Sequence, residues 1–293
     1  MKKYDVVALG EALIDYIPLD GKVCGQYRAS VGGAPLNVSI GIAKLSGNTA
    51  LIARVGDDPL GYTIIRTLQE KKVNTSLIQI DRSRNTPVTI VFPDSSDMQR
   101  YIIYRKDGSD SALVLDEISG EVFDQTYVLH TGALLSTTKK SAETVCTIIR
   151  KAKEHNVIIS LDVNVRIGCW DNRQDLITRT KELMDLADII KLTSEEVDLL
   201  QTDVARYPDK VLLVTNGDQD VHMYWNHQHI VKGVESVKVV DSTGAGDAFF
   251  SAFLYNYVSY LKNGTVICQN EIEKCLEAAI LAGKKTVQMV GAW

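Results

Sequence analysis

No stretch of the 293-residue chain holds about 18 consecutive apolar residues, the length a membrane-spanning helix requires. The chain also lacks a basic run: 32 Lys and Arg face 37 Asp and Glu, for a net charge of −5. Sequence-independent nucleic-acid binding depends on a concentrated positive surface, so neither nucleic acid nor a membrane is an expected partner. The five cysteines (Cys24, Cys146, Cys169, Cys268 and Cys275) are odd in number, scattered, and form no C-x-x-C pair. That pattern suggests neither a thiolate zinc site nor a disulfide framework. Met1-Lys2-Lys3-Tyr4-Asp5 runs straight into Val6-Val7-Ala8-Leu9 without a cleavage-site pattern. The expectation is a cytoplasmic protein with reduced thiols. Internal repeats and low-complexity tracts are missing as well.

What is present is an ordinary globular composition, 45% hydrophobic and 24% charged. The length suits one large domain or two small ones. Strand-length apolar runs occur at Val6 to Leu9, Ala50 to Val55, Tyr127 to His130, Val157 to Asp162, Ile189 to Leu192 and Val211 to Thr215. Helical periods lie between them, near Pro35 to Leu45, Leu60 to Glu70, Ser141 to Glu154, Leu176 to Leu186 and Glu195 to Leu200. This alternation predicts an α/β fold: a mainly parallel sheet with helices on both faces. Two stretches, 12–33 and about 85–106, hold strand-like runs with no helix between them, such as Thr86 to Phe92 and Arg100 to Tyr104. The turn-rich Pro93 to Asp97 joins the latter pair as a hairpin. A small antiparallel flap over one edge of the main sheet is the expected result.

The segment Asp241-Ser242-Thr243-Gly244-Ala245-Gly246-Asp247 is the richest in chemistry. A strand-like run, Val237 to Val240, enters it, and a helical pattern leaves it from Ala248 to Leu261. Two glycines at a helix start expose successive N–H groups, which together with the helix dipole form an anion site. Asp247, in the first turn where the dipole favours its ionised form, can take a proton from an attacking hydroxyl. The plainer alternative is a glycine turn with Asp247 as a helix-start residue. A second segment, Gly32-Gly33-Ala34-Pro35-Leu36-Asn37, pairs glycines that admit a ligand with a proline suited to a first helical turn. Asn37 there offers a donor and an acceptor to a sugar hydroxyl. At Gly56-Asp57-Asp58-Pro59-Leu60-Gly61 a helix cap is the better reading. Gly283-Lys284-Lys285-Thr286 is no Walker loop, because Ala278 stands where the first glycine belongs. No G-x-S-x-G nucleophile elbow occurs, and His227 and His229 read as surface residues of a hairpin.

These two segments, in this order and about 210 residues apart, resemble the two signatures of the ribokinase-like (PfkB) carbohydrate kinases. The opening Gly10-Glu11-Ala12-Leu13-Ile14-Asp15 extends the resemblance over essentially the whole chain. Gly32 to Pro35, Tyr104-Arg105, His130 to Ala133, Asp162 to Arg166 and Trp170 resemble the fructokinase subgroup in particular. The resemblance implies a three-layer α/β/α kinase domain over 1–293, with a lid formed by about 12–33 and 85–106. It implies Asp247 as catalytic base and the backbone of Gly244, Ala245, Gly246 and Asp247 as the hole for the transferred phosphate. Asp15, Gly32, Gly33 and Asn37 would contact the sugar, with Arg105 and Arg166 near the sugar or phosphates. Plainer readings stay open for two of these, Asp15 as a flap surface charge and Arg105 as a solvated hairpin end. Asn164, Lys191, Thr215, Gly217 and Gly246 would serve the nucleotide.

Glu196 would assist a metal through water, although Thr193 and Glu196 also have the spacing of a capping box. Asp241 and Thr243 would suit a monovalent cation. Thr193, Val163, Asp220 and Ile280 depart from the family pattern, the last three at the nucleotide end. The implied activity is ATP-dependent phosphorylation of a free sugar, fructose first, with Mg²⁺ and a possible K⁺ requirement. A sibling kinase for ribose, 2-keto-3-deoxygluconate or a riboside is one alternative, and a sugar-binding protein without catalysis is another. The lid's exposed edges suggest a homodimer.

Overall fold

The computed structural model describes residues 2–19, 22, 25–92 and 100–292; the expected Pro93 to Asp97 turn and Cys24 lie outside them. Strand β1 (Tyr4–Leu9) is buried at every position, as a strand can be only where helices cover both faces of its sheet. β2 (Leu13–Pro18) and β3 (Tyr27–Gly32) then leave that sheet as an antiparallel hairpin. The chain returns through α1 (Ala34–Lys44), β4 (Thr49–Gly56), α2 (Pro59–Glu70) and β5 (Ile78–Asp81). It leaves again as β6 (Val88–Phe92) and β7 (Arg100–Tyr104), a second antiparallel pair. After α3 (Glu121–Asp124) come β8 (Thr126–Gly132), α4 (Lys139–Glu154) and β9 (Ile158–Asp162). Next are α5 (Arg173–Leu186), β10 (Ile189–Thr193), α6 (Ser194–Leu200) and β11 (Val211–Thr215). A hairpin, β12 (Val221–Trp225) and β13 (Gln228–Lys232), precedes the long helices α7 (Ala245–Lys262) and α8 (Gln269–Thr286).

The main sheet has nine strands in the order β13-β12-β11-β10-β9-β8-β1-β4-β5, parallel except for the β12 and β13 edge. Side chains alternate between its faces, as period two demands. Val6 and Ile189 pack with Phe250, Phe253 and Leu276 of α7 and α8. Their neighbours Val7 and Ile190 pack with Ile149 of α4 and Met184 of α5 on the other face. The three layers and the parallel sheet follow the sequence expectation. No helix among the described residues is long and apolar enough to cross a membrane, and Cys146, Cys169, Cys268 and Cys275 are free thiols.

The small sheet runs β3-β2-β6-β7 and stands apart from the main one. It is antiparallel within each hairpin, and the join between them, β2 to β6, is parallel. The reason is shared origin: β2 follows β1 and β6 follows β5, two parallel strands of the main sheet, so both first strands depart in one sense.

One expected strand is not formed. Val237 to Val240 has no sheet partner; the Val240 and Asp241 N–H groups donate instead to the Val287 carbonyl beyond α8. β13 therefore stays the edge strand of the sheet. The Asp58 cap is as expected: its carboxylate accepts from Gly61 N at 2.8 Å and also from Thr86 N at 2.8 Å, just before β6.

Candidate active site

The Asp241 to Asp247 loop delivers the chain into α7. Gly244 sits at φ 75°, and a Cβ there would come within 2.4 Å of Ala292; only glycine fits this cap. The first-turn amides of α7 have no acceptor within the helix and face outward with the positive end of its dipole. A Cβ on Gly246 would lie 3.2 Å from Lys191 Nζ, so the glycine lets that ammonium approach the loop.

Asp247 occupies this first turn, and Asn37 of α1 donates to its Oδ2 at 2.8 Å, across 210 positions. Burial, helped by the nearby Asp162 carboxylate, pushes the Asp247 pKa up to about 7, against the pull of Asn37, Lys191 and Arg166. The dipole alone would favour the anion; here desolvation wins. Asp162 ends β9, and Lys191 of the adjacent β10 donates to both of its oxygens, at 3.0 and 2.9 Å. Burial pushes Lys191 down, but the Asp162 charge outweighs it and holds the ammonium above its ordinary range.

Two cavities meet at this loop. The first, about 480 Å³, is walled largely by Val221, Val234, Val237, Val239, Phe249 and Ile280, and Thr215 and Gly217 also line it. The second, about 360 Å³, lies under the small sheet and presents Asp15, Asn37, Tyr101, Asn164, Arg166 and Asp247. Lys191, Ser242 and Gly246 line both. Openings at the carboxyl ends of parallel strands are the usual ligand position in this class of sheet.

Most expected site residues converge here. Asp15 faces the second cavity; burial raises its pKa, opposed by a hydrogen bond from Thr89 and by Arg166. Gly32 lies behind it, where a Cβ would fall 2.1 Å from Asp15 Oδ2. Gly33, at φ 119°, is pressed against the Glu11 carbonyl, 2.4 Å from where its Cβ would be. Arg166 stacks over the Tyr101 ring at 5.5 Å. Asn164, expected on the nucleotide side, lines the second cavity, while Thr215 and Gly217 line the first.

One expected residue is relocated, and two others also hold the backbone. Arg105 does not line either cavity: Nε donates to Asp110 at 2.9 Å, and Nη1 donates to the Leu134 carbonyl at 2.8 Å and Thr137 Oγ1 at 2.6 Å. It is buried, neither a solvated hairpin end nor a wall of the site. Glu196 accepts from Val165 N at 2.6 Å and Thr193 N at 2.8 Å, completing the capping box of α6. Asp241 lines the second cavity, but its oxygens accept from Thr243 N and Gly291 N, each at 2.9 Å. Burial pushes it up, yet the bonds from Thr243 and Gly291 hold it below the usual carboxylate range. Among the described residues no group of three or more His, Cys, Asp or Glu could hold a metal ion. His229 meets His222, at 2.9 Å, and the Tyr224 ring on the outer hairpin. Asp162 entered the sequence reading only within the Asp162 to Arg166 segment, without a role; its position at a strand's carboxyl end, near Asn164, was the available signal.

A half-buried carboxylate at a helix N-terminus, lining a polar cavity that shares Gly246 with an apolar one, has the geometry to serve group transfer between two ligands. The pfkB family carbohydrate kinase model matches residues 3–293, and the chain belongs to that family. It is 31% identical to the probable chloroplastic fructokinase-6 of Arabidopsis thaliana, over 98% of this chain and 78% of the relative. Fructokinase with bound ATP from Xylella fastidiosa superposes with a TM-score of 0.88 at 26% identity, covering 99% of this chain and 94% of that one. A fructokinase double mutant from Vibrio cholerae O395, in its fructose, ADP and potassium ion bound form, gives 0.87 at 27% identity, covering 100% and 95%.

Proposed function

We propose that this carbohydrate kinase transfers the γ-phosphate of ATP to a primary hydroxyl of free fructose. The carrying observation is Asp247, which lines the second cavity next to Gly246 of the shared loop and is bonded to Asn37 of the same cavity. The fructose assignment is supported by likeness to fructokinases, in curated relatives and in ligand-bound structures. Fructose would lie among Asp15, Asn37 and Arg166, with the triphosphate reaching past Gly217 and Lys191 toward the loop. Asp247 accepts the proton as the sugar oxygen attacks in line, and the Gly244 to Asp247 amides stabilise the transferring phosphoryl group. An Asp247 pKa near 7 matches a base that must take a proton at neutral pH.

Mg²⁺ is the proposed metal, and the donor set suits an ion that arrives on the nucleotide. Asp162 is committed to Lys191, and Glu196 to two backbone amides, which leaves their remaining lone pairs for waters around such an ion. It would neutralise phosphate charge. K⁺ is proposed beside Asp241 and Thr243, supported by the ionised Asp241 carboxylate and the potassium ion of the Vibrio relative.

The whole chain, 1–293, is proposed as one kinase domain with the small sheet as its lid, excluding water over the sugar. The lid's outer face leaves Ile102 and Tyr104 49% and 55% exposed, which supports pairing of two lids in a homodimer; a monomer by light scattering would refute it. A cytoplasmic location is proposed from the free thiols. ADP release, coupled to a readout and run over fructose, ribose, 2-keto-3-deoxygluconate and a riboside, tests the activity. Fructose should give the highest kcat/KM. A different preferred sugar would replace the substrate, and sugar binding without any turnover would favour a binding protein.

A further inference from the structure

The small sheet is joined to the body by four crossings: 10–12, Gly33, 82–87 and 105–108. Each is tied by a polar group. Asp58 takes the amide and hydroxyl of Thr86 on the third crossing, at 2.8 and 2.9 Å. Arg105 on the fourth reaches Asp110, Leu134 and Thr137 of the body. Glu11 links the first two to each other. Its Oε1 accepts from Ala34 N at 3.0 Å, and its own carbonyl abuts Gly33.

Glu11 is 4% exposed, and among the described residues its Oε2 has no hydrogen-bond partner. A serine or threonine could satisfy one amide at a helix start without burying a carboxyl group. Glu11 also senses Arg105 and Asp110 electrostatically, so the first, second and fourth crossings meet in one buried polar cluster.

We propose that Glu11 is a positioning residue for the sugar site. Through Ala34 it clamps the Gly33 turn, and with the Arg105 and Asp110 pair it sets the angle at which the small sheet stands over the cavity. Length, not charge, is the essential property. Burial holds the Glu11 carboxyl neutral up to about pH 7, so glutamine is its matching substitute. The inference rests on the sugar-kinase reading only for the identity of the ligand.

Two variants separate length from charge. Glu11→Asp keeps the acid but falls a methylene short of Ala34; Glu11→Gln keeps the reach. For Glu11→Asp the sugar KM should rise about tenfold, the factor 1.4 kcal/mol brings, with ATP KM unchanged and kcat less affected. Hydrogen exchange without ligand should speed up in β2, β3, β6 and β7 and stay as in wild type in β8, β9 and β10. Glu11→Gln should behave as wild type in both measurements. The proposal is overturned if Glu11→Asp is neutral, if it loosens both sheets alike, or if Glu11→Gln is the more impaired. If no sugar on the panel is phosphorylated by the wild-type protein, the substrate reading fails, while the exchange contrast still decides the hinge.

Discussion

The two cavities that share Lys191, Ser242 and Gly246 are built from opposite materials. Under the small sheet, Asp15, Asn37, Asn164, Arg166 and Asp247 offer directional donors and acceptors within about 360 Å³. On the far side of the loop, valines at 221, 234, 237 and 239 with Ile280 form a slot of about 480 Å³ whose walls are mostly hydrocarbon. A polyol differs from its isomers only in where its hydroxyls point, so it can be told apart only by fixed polar groups. A base and ribose are held by buried area, to which each side chain adds a little. With the sugar in the polar cavity and the nucleotide in the apolar one, as proposed above, recognition would be concentrated in a few residues on the first side and spread thin on the second.

That contrast is sharpest at Asp247. Asp247→Asn should lower kcat by about 10²–10⁴ while sugar affinity survives, the loss expected when general-base help is removed. Retention of more than about a tenth of wild-type kcat would sink the assignment, given that range. In the wild type, kcat/KM for the sugar should climb as pH rises through about 7, because only the ionised Asp247 can accept the proton. The same raised pKa gives a stability test. The folded state holds the Asp247 proton more tightly than the unfolded chain, so its contribution is full below the unfolded pKa and lost as pH rises through about 7. The melting temperature of Asp247→Asn relative to wild type should accordingly increase from pH 5 to pH 8. A constant difference would mean that the carboxylate is not desolvated.

Lys191→Met attacks the wall between the cavities. It leaves Asp162 buried without its cation, a loss of about 3–5 kcal/mol in urea unfolding. Adding Asp162→Asn should recover most of it, and failure to recover would show that the pair is not what Lys191 stabilises. Asp15→Ala should raise sugar KM by about 10- to 100-fold, in line with charged hydrogen bonds worth about 1.5–3 kcal/mol, and leave ATP KM alone. The smallest effect belongs to the apolar side. Ile280→Ala should raise ATP KM by no more than about fivefold, the equivalent of about 1 kcal/mol of lost burial. If that change exceeded the Asp15 effect, the division of labour between the cavities would be wrong.

Much of this arrangement was legible before any coordinates. Period-two and helical patterns follow from which residues face a core, so the α/β alternation, the two flap segments and the Asp58 cap could be read locally. The Gly244 to Asp247 turn and the Gly33 to Pro35 helix start were equally visible, because φ above zero and a missing N–H are properties of single residues. What sequence alone left undecided depended on partners far along the chain. Arg105 has the chemistry of a phosphate ligand, yet Asp110, Leu134 and Thr137 draw it into the body. Val237 to Val240 has strand composition, but its Val240 and Asp241 amides are drawn to the Val287 carbonyl beyond α8 and not to the open edge of β13. Thr193 and Glu196 announced a capping box; that the second oxygen of Glu196 is also taken, by Val165, required β9 and β10 to lie side by side. The Asn37 to Asp247 bond and the Asp162 to Lys191 pair join segments 210 and 29 positions apart. Local sequence chose the groups; long-range packing chose which of them meet, because desolvation and charge pairing exist only once distant segments exclude water together.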